Sequence, residues 1–275
     1  MEGKKMNNSK PLVSIIMGIY NCESTLEECI ESIINQTYNN WQLVMCDDAS
    51  SDNTYSIAER YKKEYPEKII LIRNSVNMKL STTLNHCLKY VTGKYVARMD
   101  GDDIALPTRL EKQVMFLENN NCFDLVGTAI TLFDEKGNRG IRKTVEKPNK
   151  ETIFKISPFA HATIMCHKYV YDTLNGYTVS NRTIRGQDID LWLRFYNNGF
   201  NGYNLQEPLY MVREDENAFK RRTIKAGLGT TKTLMYGVNL LGVSKKNYLL
   251  SLKPLISSII PNKIMFLYHK RKSRI

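Results

Sequence analysis

Asp100, Asp102 and Asp103 place three carboxylates within four residues, directly after the apolar run Tyr95–Met99. Like charges this close repel one another unless a cation or a donor neutralises them. Hard divalent cations favour carboxylate oxygens, and Mg²⁺ takes only one or two alongside substrate phosphates. An Asp-x-Asp loop after a buried strand therefore suits a metal that bridges a diphosphate. The same acids would also suit the start of a helix led by Pro107. Three further polar clusters border regular elements: Ile19-Tyr20-Asn21, Asp47-Asp48-Ala49-Ser50-Ser51-Asp52 and Gln187-Asp188-Ile189-Asp190. A buried carboxylate at a strand end can accept the N3–H of a uracil, while Ser51 or Asp52 can cap the next helix. Asp188 is favoured by the helix dipole, and it can also act as general base toward a hydroxyl. His161 lies in an apolar run, where a histidine is more often a hydrogen-bonded core residue than a ligand. No Gly-rich loop follows the first strand, which disfavours a dinucleotide fingerprint or a P-loop. No Ser-His-Asp or Cys-His pattern stands out.

The elements that must position these residues alternate in the first half of the chain. Leu12–Ile19 reads as a buried parallel strand. Ser24-Thr25-Leu26-Glu27 reads as a capping box opening a helix with Leu26, Ile30, Ile33 and Ile34 on one face. Strands follow at Gln42–Cys46, Ile69–Arg73 and Tyr95–Met99. Between and after them come helices starting at Asp52, over Ser81–Val91, and from Pro107 through Leu110, Val114 and Leu117. This order implies right-handed crossovers and an open parallel sheet, whose ligands bind beyond the carboxyl ends of its strands. The second half is less regular. Phe123–Asp134 is strand-like and ends in a Glu-Lys-Gly-Asn turn, Phe159–Cys166 is apolar, Gln187–Asn198 is helical with Gly199 as its stop, and Pro208–Arg213 is a last strand.

Composition narrows the class. The chain has 275 residues and a formal net charge of +11, yet residues 1–210 are neutral and the excess lies in 211–275, with no acid after Glu216. The core-forming length needs no disulfide or structural metal. The six cysteines include no CxxC pair, which fits a reducing cytoplasm and excludes zinc-site spacing. The N-terminal residues show no signal-peptide pattern, and no stretch of spanning length is free of charge and proline. Residues 217–275 interleave Lys/Arg with apolar side chains, which fits an anionic membrane surface better than a nucleic acid, for which no binding fold accompanies the charge.

The motifs together resemble glycosyltransferase family 2, inverting nucleotide-diphospho-sugar transferases with the GT-A fold, and in particular its bacterial capsule and surface-polysaccharide members. The resemblance rests on VSIIMGIYNCESTLEECIESIINQTYNNWQLVMCDDASSDNT, TGKYVARMDGDDIALPTRLEKQVMFLE, AHATIMCHKYVYDTLNGY and RGQDIDLWLRFYNNGF, in that order, across residues 11–213. It implies an α/β, Rossmann-like fold with a mostly parallel central sheet flanked by helices. Residues 1–10 would form a tail, about 11–105 the donor half, about 106–213 the acceptor half, and 214–275 a basic helical, membrane-associating extension. It implies Tyr20, Asn21, Asp47, Asp48, Lys79, Arg98, Asp100, Gly101, Arg213, Arg221 and Arg222 around the nucleotide-sugar, with Asp48 reading uracil. It implies Asp102, with Asp100, as ligands of Mn²⁺ or Mg²⁺; Asp188 as catalytic base; and His161, Gln187 and Trp192 on the acceptor side.

The resemblance further implies an EC 2.4 hexosyl- or N-acetylhexosaminyltransferase with a UDP-sugar donor and a lipid-linked or oligosaccharide acceptor, cytoplasmic and peripheral on the plasma membrane. Three departures mark this chain. Gln187 stands where the family writes Glu. Asn77-Met78-Lys79 lacks the family's glycine. MVREDENAFKRR replaces a Tyr-Arg-x-His signature, leaving arginines to meet the diphosphate. A nucleotidyltransferase on a similar sheet, or a non-catalytic membrane or nucleic-acid adaptor, are the rival classes.

Overall fold

A computed structural model describes residues 10–214 and 223–260. Its first half alternates as the pattern requires: β1 (Val13–Ile19), α1 (Leu26–Ile34), β2 (Trp41–Asp47), α2 (Thr54–Glu64), β3 (Ile69–Arg73), α3 (Lys79–Leu88) and β4 (Tyr95–Arg98). Then follow β5 (Ile104–Ala105), α4 (Arg109–Asn119), β6 (Leu125–Asp134), β7 (Gly137–Arg142), α5 (Thr152–Lys155), a 3₁₀ turn His161–Thr163, β8 (Met165–His167) and α6 (Lys168–Leu174). The chain continues through α7 (Gln187–Asn197), β9 (Gly202–Arg213), α8 (Ile224–Leu240), α9 (Asn247–Ser251) and α10 (Lys253–Ile259).

One sheet runs in the order β3-β2-β1-β4-β8-β6-β9-β5, with β7 paired to β6. Strands β1 to β4 are parallel neighbours, as their uninterrupted apolar character demands. Beyond β4 the sheet is mixed. β8 runs antiparallel to both β4 and β6, β6 pairs in parallel with β9, β5 pairs antiparallel with β9, and β7 pairs antiparallel with β6. The sequence order cannot show this, because β8 is three residues long and its neighbours β4 and β6 both precede it.

Alternation along β1 sends Val13, Ile15, Met17 and Ile19 to a core under α1, α2 and α4, and Ile16 to a second core under α3, α6, α7 and α8. Two local expectations give way. The box at Ser24–Glu27 does not form: Thr25 occupies the cap position of α1 with no side-chain cap. Thr25 Oγ1 instead donates to the carbonyl of Cys22, brought to it by the tight turn there, and to that of Gly101 on the loop after β4. Pro107 lies before the helix, which starts at Arg109.

The described helices after residue 213 pack onto the body of the protein. Leu234 and Val238 of α8, with Leu241, are buried in the same core as Trp192, Leu193 and Phe195 of α7. Gly237 makes this packing close, since a Cβ there would sit 2.3 Å from Leu193 Cδ2. Trp192 is fully buried, edge-on to Phe159 at 5.0 Å. It is a core residue and cannot touch an acceptor as the sequence suggests. Arg221, Arg222 and the terminal basic run lie outside the described residues.

Candidate active site

The sheet order reverses at β1, between β2 and β4, and the crevice beyond such a switch point is where open α/β sheets bind ligands. A cleft of about 780 Å³ opens there, lined on one side by Tyr20, Asn21, Ser24 and Thr25, and on its floor by Asp100, Gly101 and Asp102. Arg213 and the β6–β7 turn close the other side. Tyr20 is half exposed. Asn21 adopts a left-handed conformation, with φ 47°. Its side-chain oxygen accepts from the Ser51 amide at 2.9 Å, while its own amide donates to Ser50 Oγ at 3.0 Å. The loops after β1 and β2 are thereby tied into one wall.

Asp47 ends β2, Asp48 follows it, and both are buried. Asp47 Oδ2 pairs with Arg73 Nε at 3.1 Å and accepts the Ser50 amide. Asp47 Oδ1 has no protein partner among the described residues. Asp48 Oδ1 accepts from Asn74 Nδ2 at 2.8 Å and the Met78 amide at 2.7 Å, and Oδ2 from the Lys79 amide at 2.9 Å. Asp48 thus holds the loop that lacks the expected glycine. Lys79 accepts a left-handed φ of 69° there, a conformation that costs a non-glycine residue about 1–2 kcal/mol. Its side chain is exposed.

Arg98 is buried, and its two terminal nitrogens grip both oxygens of Asp100. Arg109 lies beneath, fully buried, donating to the carbonyls of Arg98 and Ala162 at 2.8 and 3.2 Å. Burial pushes its guanidinium down to about 10. It sits 4.7 Å over the Tyr210 ring, and the Tyr210 hydroxyl accepts the Asp100 amide at 3.1 Å. Gly101 is closely packed: a Cβ there would meet Ile19 Cγ2 at 3.1 Å and Cys22 Sγ at 3.2 Å.

Carboxylate oxygens of Asp100, Asp102 and Asp103 all lie within 4.8 Å of one another. Asp103 is buried, and burial, followed by the charges of Asp100 and Asp102, pushes its carboxyl up to about 8. The Arg213 amide donates to Asp103 Oδ1 at 2.9 Å, and Arg213 Nε to the Asp102 carbonyl at 3.1 Å. An all-oxygen set crowded with like charge fits a hard divalent cation of the Mg²⁺ or Mn²⁺ type.

Asp188 stands in the first turn of α7, after Gly186 with φ 90°. Burial lifts its carboxyl above the ordinary range, and the Arg98 charge opposes that rise. Gln187, beside it, is partly buried. Asp190 is fully engaged by Arg182, Arg194 and Thr178, which anchors the start of the helix. His161 accepts or donates at 2.8 Å to the Tyr177 hydroxyl. Burial and Arg98 hold its imidazole well below the usual range. Arg98 thus pairs with Asp100 directly, and its charge reaches Asp188 and His161, where burial acts more strongly.

Asp134, Glu135, Lys136 and Arg139 also line the cleft, which the sequence pattern does not reveal: the turn is visible in the sequence, but only the pairing of β6 with β9 brings it to the same cleft as Tyr20.

A family model described as Glycosyl transferase family 2 matches residues 14–173. The Bacillus subtilis (strain 168) protein EpsE, which carries a glycosyltransferase name, is 49% identical over 96% of this chain and 95% of its own. The Escherichia coli protein named UDP-Glc:alpha-D-GlcNAc-diphosphoundecaprenol beta-1,3-glucosyltransferase WfgD is 34% identical over 66% of this chain and 68% of its own. The crystal structure of S. aureus TarS 1-349 in complex with UDP-GlcNAc superposes with a TM-score of 0.63 at 16% identity, covering 90% of this chain and 81% of that one. The fold is thus the GT-A fold, and the nucleotidyltransferase and adaptor classes fall away. The chain belongs to glycosyl transferase family 2 and is a glycosyltransferase.

Proposed function

We propose that this enzyme moves a sugar from a UDP-sugar to a hydroxyl of a lipid-linked glycan during bacterial surface-polysaccharide synthesis, with inversion at the anomeric carbon. The observation that carries the reading is the acidic cluster at the β1/β4 switch point, with Asp188 placed in the field of the same buried arginine that grips Asp100. The names of the relatives support the donor and acceptor classes.

Tyr20, Asn21 and Asp48 form the nucleoside side of the site, with Asp47 and Gly101 shaping it. Arg213, which lines the cleft, and Lys79, on the loop held by Asp48, would meet the diphosphate. Asp102, with Asp100, would hold a divalent cation, which supplies neutralisation of the charge that builds on the departing UDP. Asp188 takes the proton from the acceptor hydroxyl. The oxygen so exposed forms its bond to the anomeric carbon from the face opposite UDP, and the bond from that carbon to the diphosphate oxygen breaks, its electron pair leaving with UDP. His161 and Gln187 face the acceptor side. Among the described residues no helix is long and apolar enough to cross a membrane. The basic C-terminal region brings the enzyme to the cytoplasmic membrane surface, where a lipid-linked acceptor resides.

Replacing Asp188 with Asn tests the reading. Transfer should be lost while UDP affinity stays within about twofold, because the base acts only on the acceptor. Unchanged turnover would remove Asp188 from the mechanism. A screen of nucleotide sugars with Mg²⁺ and Mn²⁺ identifies the donor.

A further inference from the structure

His161 opens the 3₁₀ turn that precedes β8, and its Nε2 lies 2.8 Å from the Tyr177 hydroxyl. That hydroxyl lies 2.8 Å from the hydroxyl of Tyr171. Both tyrosines are buried. The direction of this chain follows from matching donors to acceptors. Among the described residues the Tyr171 hydroxyl has Tyr177 as its sole hydrogen-bond partner. A buried phenol proton without an acceptor is costly, so Tyr171 donates to Tyr177. Tyr177 retains its own proton, and the acceptor left for it is His161 Nε2. A ring nitrogen that accepts carries no proton, so the proton of the neutral imidazole sits on Nδ1.

We propose that Tyr171 and Tyr177 are positioning residues that lock His161 in the Nδ1–H tautomer, so that the imidazole offers the substrate a hydrogen-bond donor. Among the described residues Nδ1 has no protein partner. The ring cannot swing freely, since it stands edge-on to Tyr177 at 5.5 Å and to Trp192 at 5.9 Å. Its environment favours the neutral form, with burial and the Arg98 charge acting together. The same Arg98 charge reaches Asp188. His161 and Asp188 are then complementary: one donates to a sugar oxygen, the other accepts a proton from a sugar hydroxyl. The role of buried Trp192 is explained too, because it walls the imidazole without meeting the acceptor. This assignment rests on the proposed function for its substrate, but not for its tautomer.

The test is a two-bond ¹H–¹⁵N spectrum of the full chain labelled on its four histidines, with the His161 signals assigned by their loss in His161→Gln. The expected result at neutral pH is an Nδ1–H pattern for His161. Tyr171→Phe should keep it, because Tyr177 still donates. Tyr177→Phe should shift it toward Nε2–H and lower turnover about tenfold, the worth of one oriented hydrogen bond, with donor KM within about twofold. An Nε2–H pattern in the unaltered protein overturns the proposal, as does a pattern that Tyr177→Phe leaves in place. Should Tyr177→Phe fail to fold, the spectra of the unaltered protein and of Tyr171→Phe decide. The spectrum needs no turnover, so an active Asp188→Asn variant would refute the transfer mechanism without touching the tautomer.

Discussion

Both terminal nitrogens of Arg98 are spent on the two oxygens of Asp100, two residues later in the chain. The pair is bidentate and its guanidinium is buried, the geometry in which arginine fixes a carboxylate in direction as well as in charge. Asp100 is thereby an oriented member of the acidic cluster, and Asp102 projects from the following turn. Removing Asp102 should therefore remove divalent binding without dismantling the loop. With a divalent cation at a hundredfold its dissociation constant, binding adds about 2.7 kcal/mol to stability. For a domain of this size that raises the melting temperature by about 5–10 °C. Asp102→Asn should abolish the shift, read against the variant's own cation-free melting temperature. Differential scanning calorimetry with and without Mn²⁺ reads both; an equal shift in the variant would place the cation elsewhere.

The Arg98 charge also bears on Asp188. A general base works only when deprotonated, so turnover falls as pH drops through the pKa of Asp188. Burial raises that pKa above the ordinary value of 3.8, which moves the acid limb of the profile upward. Arg98 lowers it, so Arg98→Met should move the acid limb to still higher pH, and Arg98→Lys should hold it closer to its original position. The kcat–pH profile of the residual activity measures the shift. An acid limb that stays put in Arg98→Met would separate Asp188 from this arginine.

Asp48 carries a structural load besides any contact with a base. It accepts two backbone amides, from Met78 and Lys79, and the Asn74 amide. Asp48→Asn puts an N–H₂ group against at least one of these donors. The loss should be about 1–3 kcal/mol in denaturant unfolding, the cost of orphaned buried donors. UDP affinity should fall as well, since the loop before α3 loosens. A variant with full stability and weakened UDP binding would assign Asp48 to the nucleobase alone.

The carboxylates at Asp47-Asp48 and Asp100–Asp103 were legible in the sequence because each set closes a short apolar strand, and strand ends in α/β sheets lie at ligand sites, whereas Asp188 was legible as the acid that opens a helix. What was hidden is whatever the second half of the sheet brings together. Trp192 sits one turn from Asp188 on the same helix, a spacing that puts the two on neighbouring positions of one face; the packing of α8 through Gly237 is what buries it. Tyr171 and Tyr177 lie beyond β8, a strand too short to announce itself. β7 carries Gly137, Asn138, Arg139 and Gly140, residues with little strand propensity, and forms because β6 offers it an edge. The capping box matched its pattern and failed because the turn at Cys22 starts the helix one residue later, with Thr25 rather than Ser24 in the cap position.

The packing of α8 changes how membrane association must be tested. Charge distribution alone suggests cutting the chain near residue 216 and comparing flotation. That cut would remove Leu234, Val238 and Leu241 from the core around Trp192, so it would report unfolding as readily as lost membrane contact. The surface of α9 and α10 offers a cleaner test. Leu249, Ile256 and Ile259 are 74%, 57% and 66% exposed, beside the exposed Lys245, Lys246 and Lys253. No acid lies in this part of the chain to repel anionic lipid. Apolar side chains entering the interface and lysines meeting headgroups would act together, each lysine adding about 1 kcal/mol near an anionic surface. Leu249→Ser, Ile256→Ser and Ile259→Ser combined should leave the melting temperature within a few degrees, since exposed side chains contribute little to folding. The triple variant should lose most of its flotation with vesicles containing anionic lipid, and raising the salt should weaken binding of the unaltered protein. Equal flotation of the two proteins would move the membrane contact away from this face.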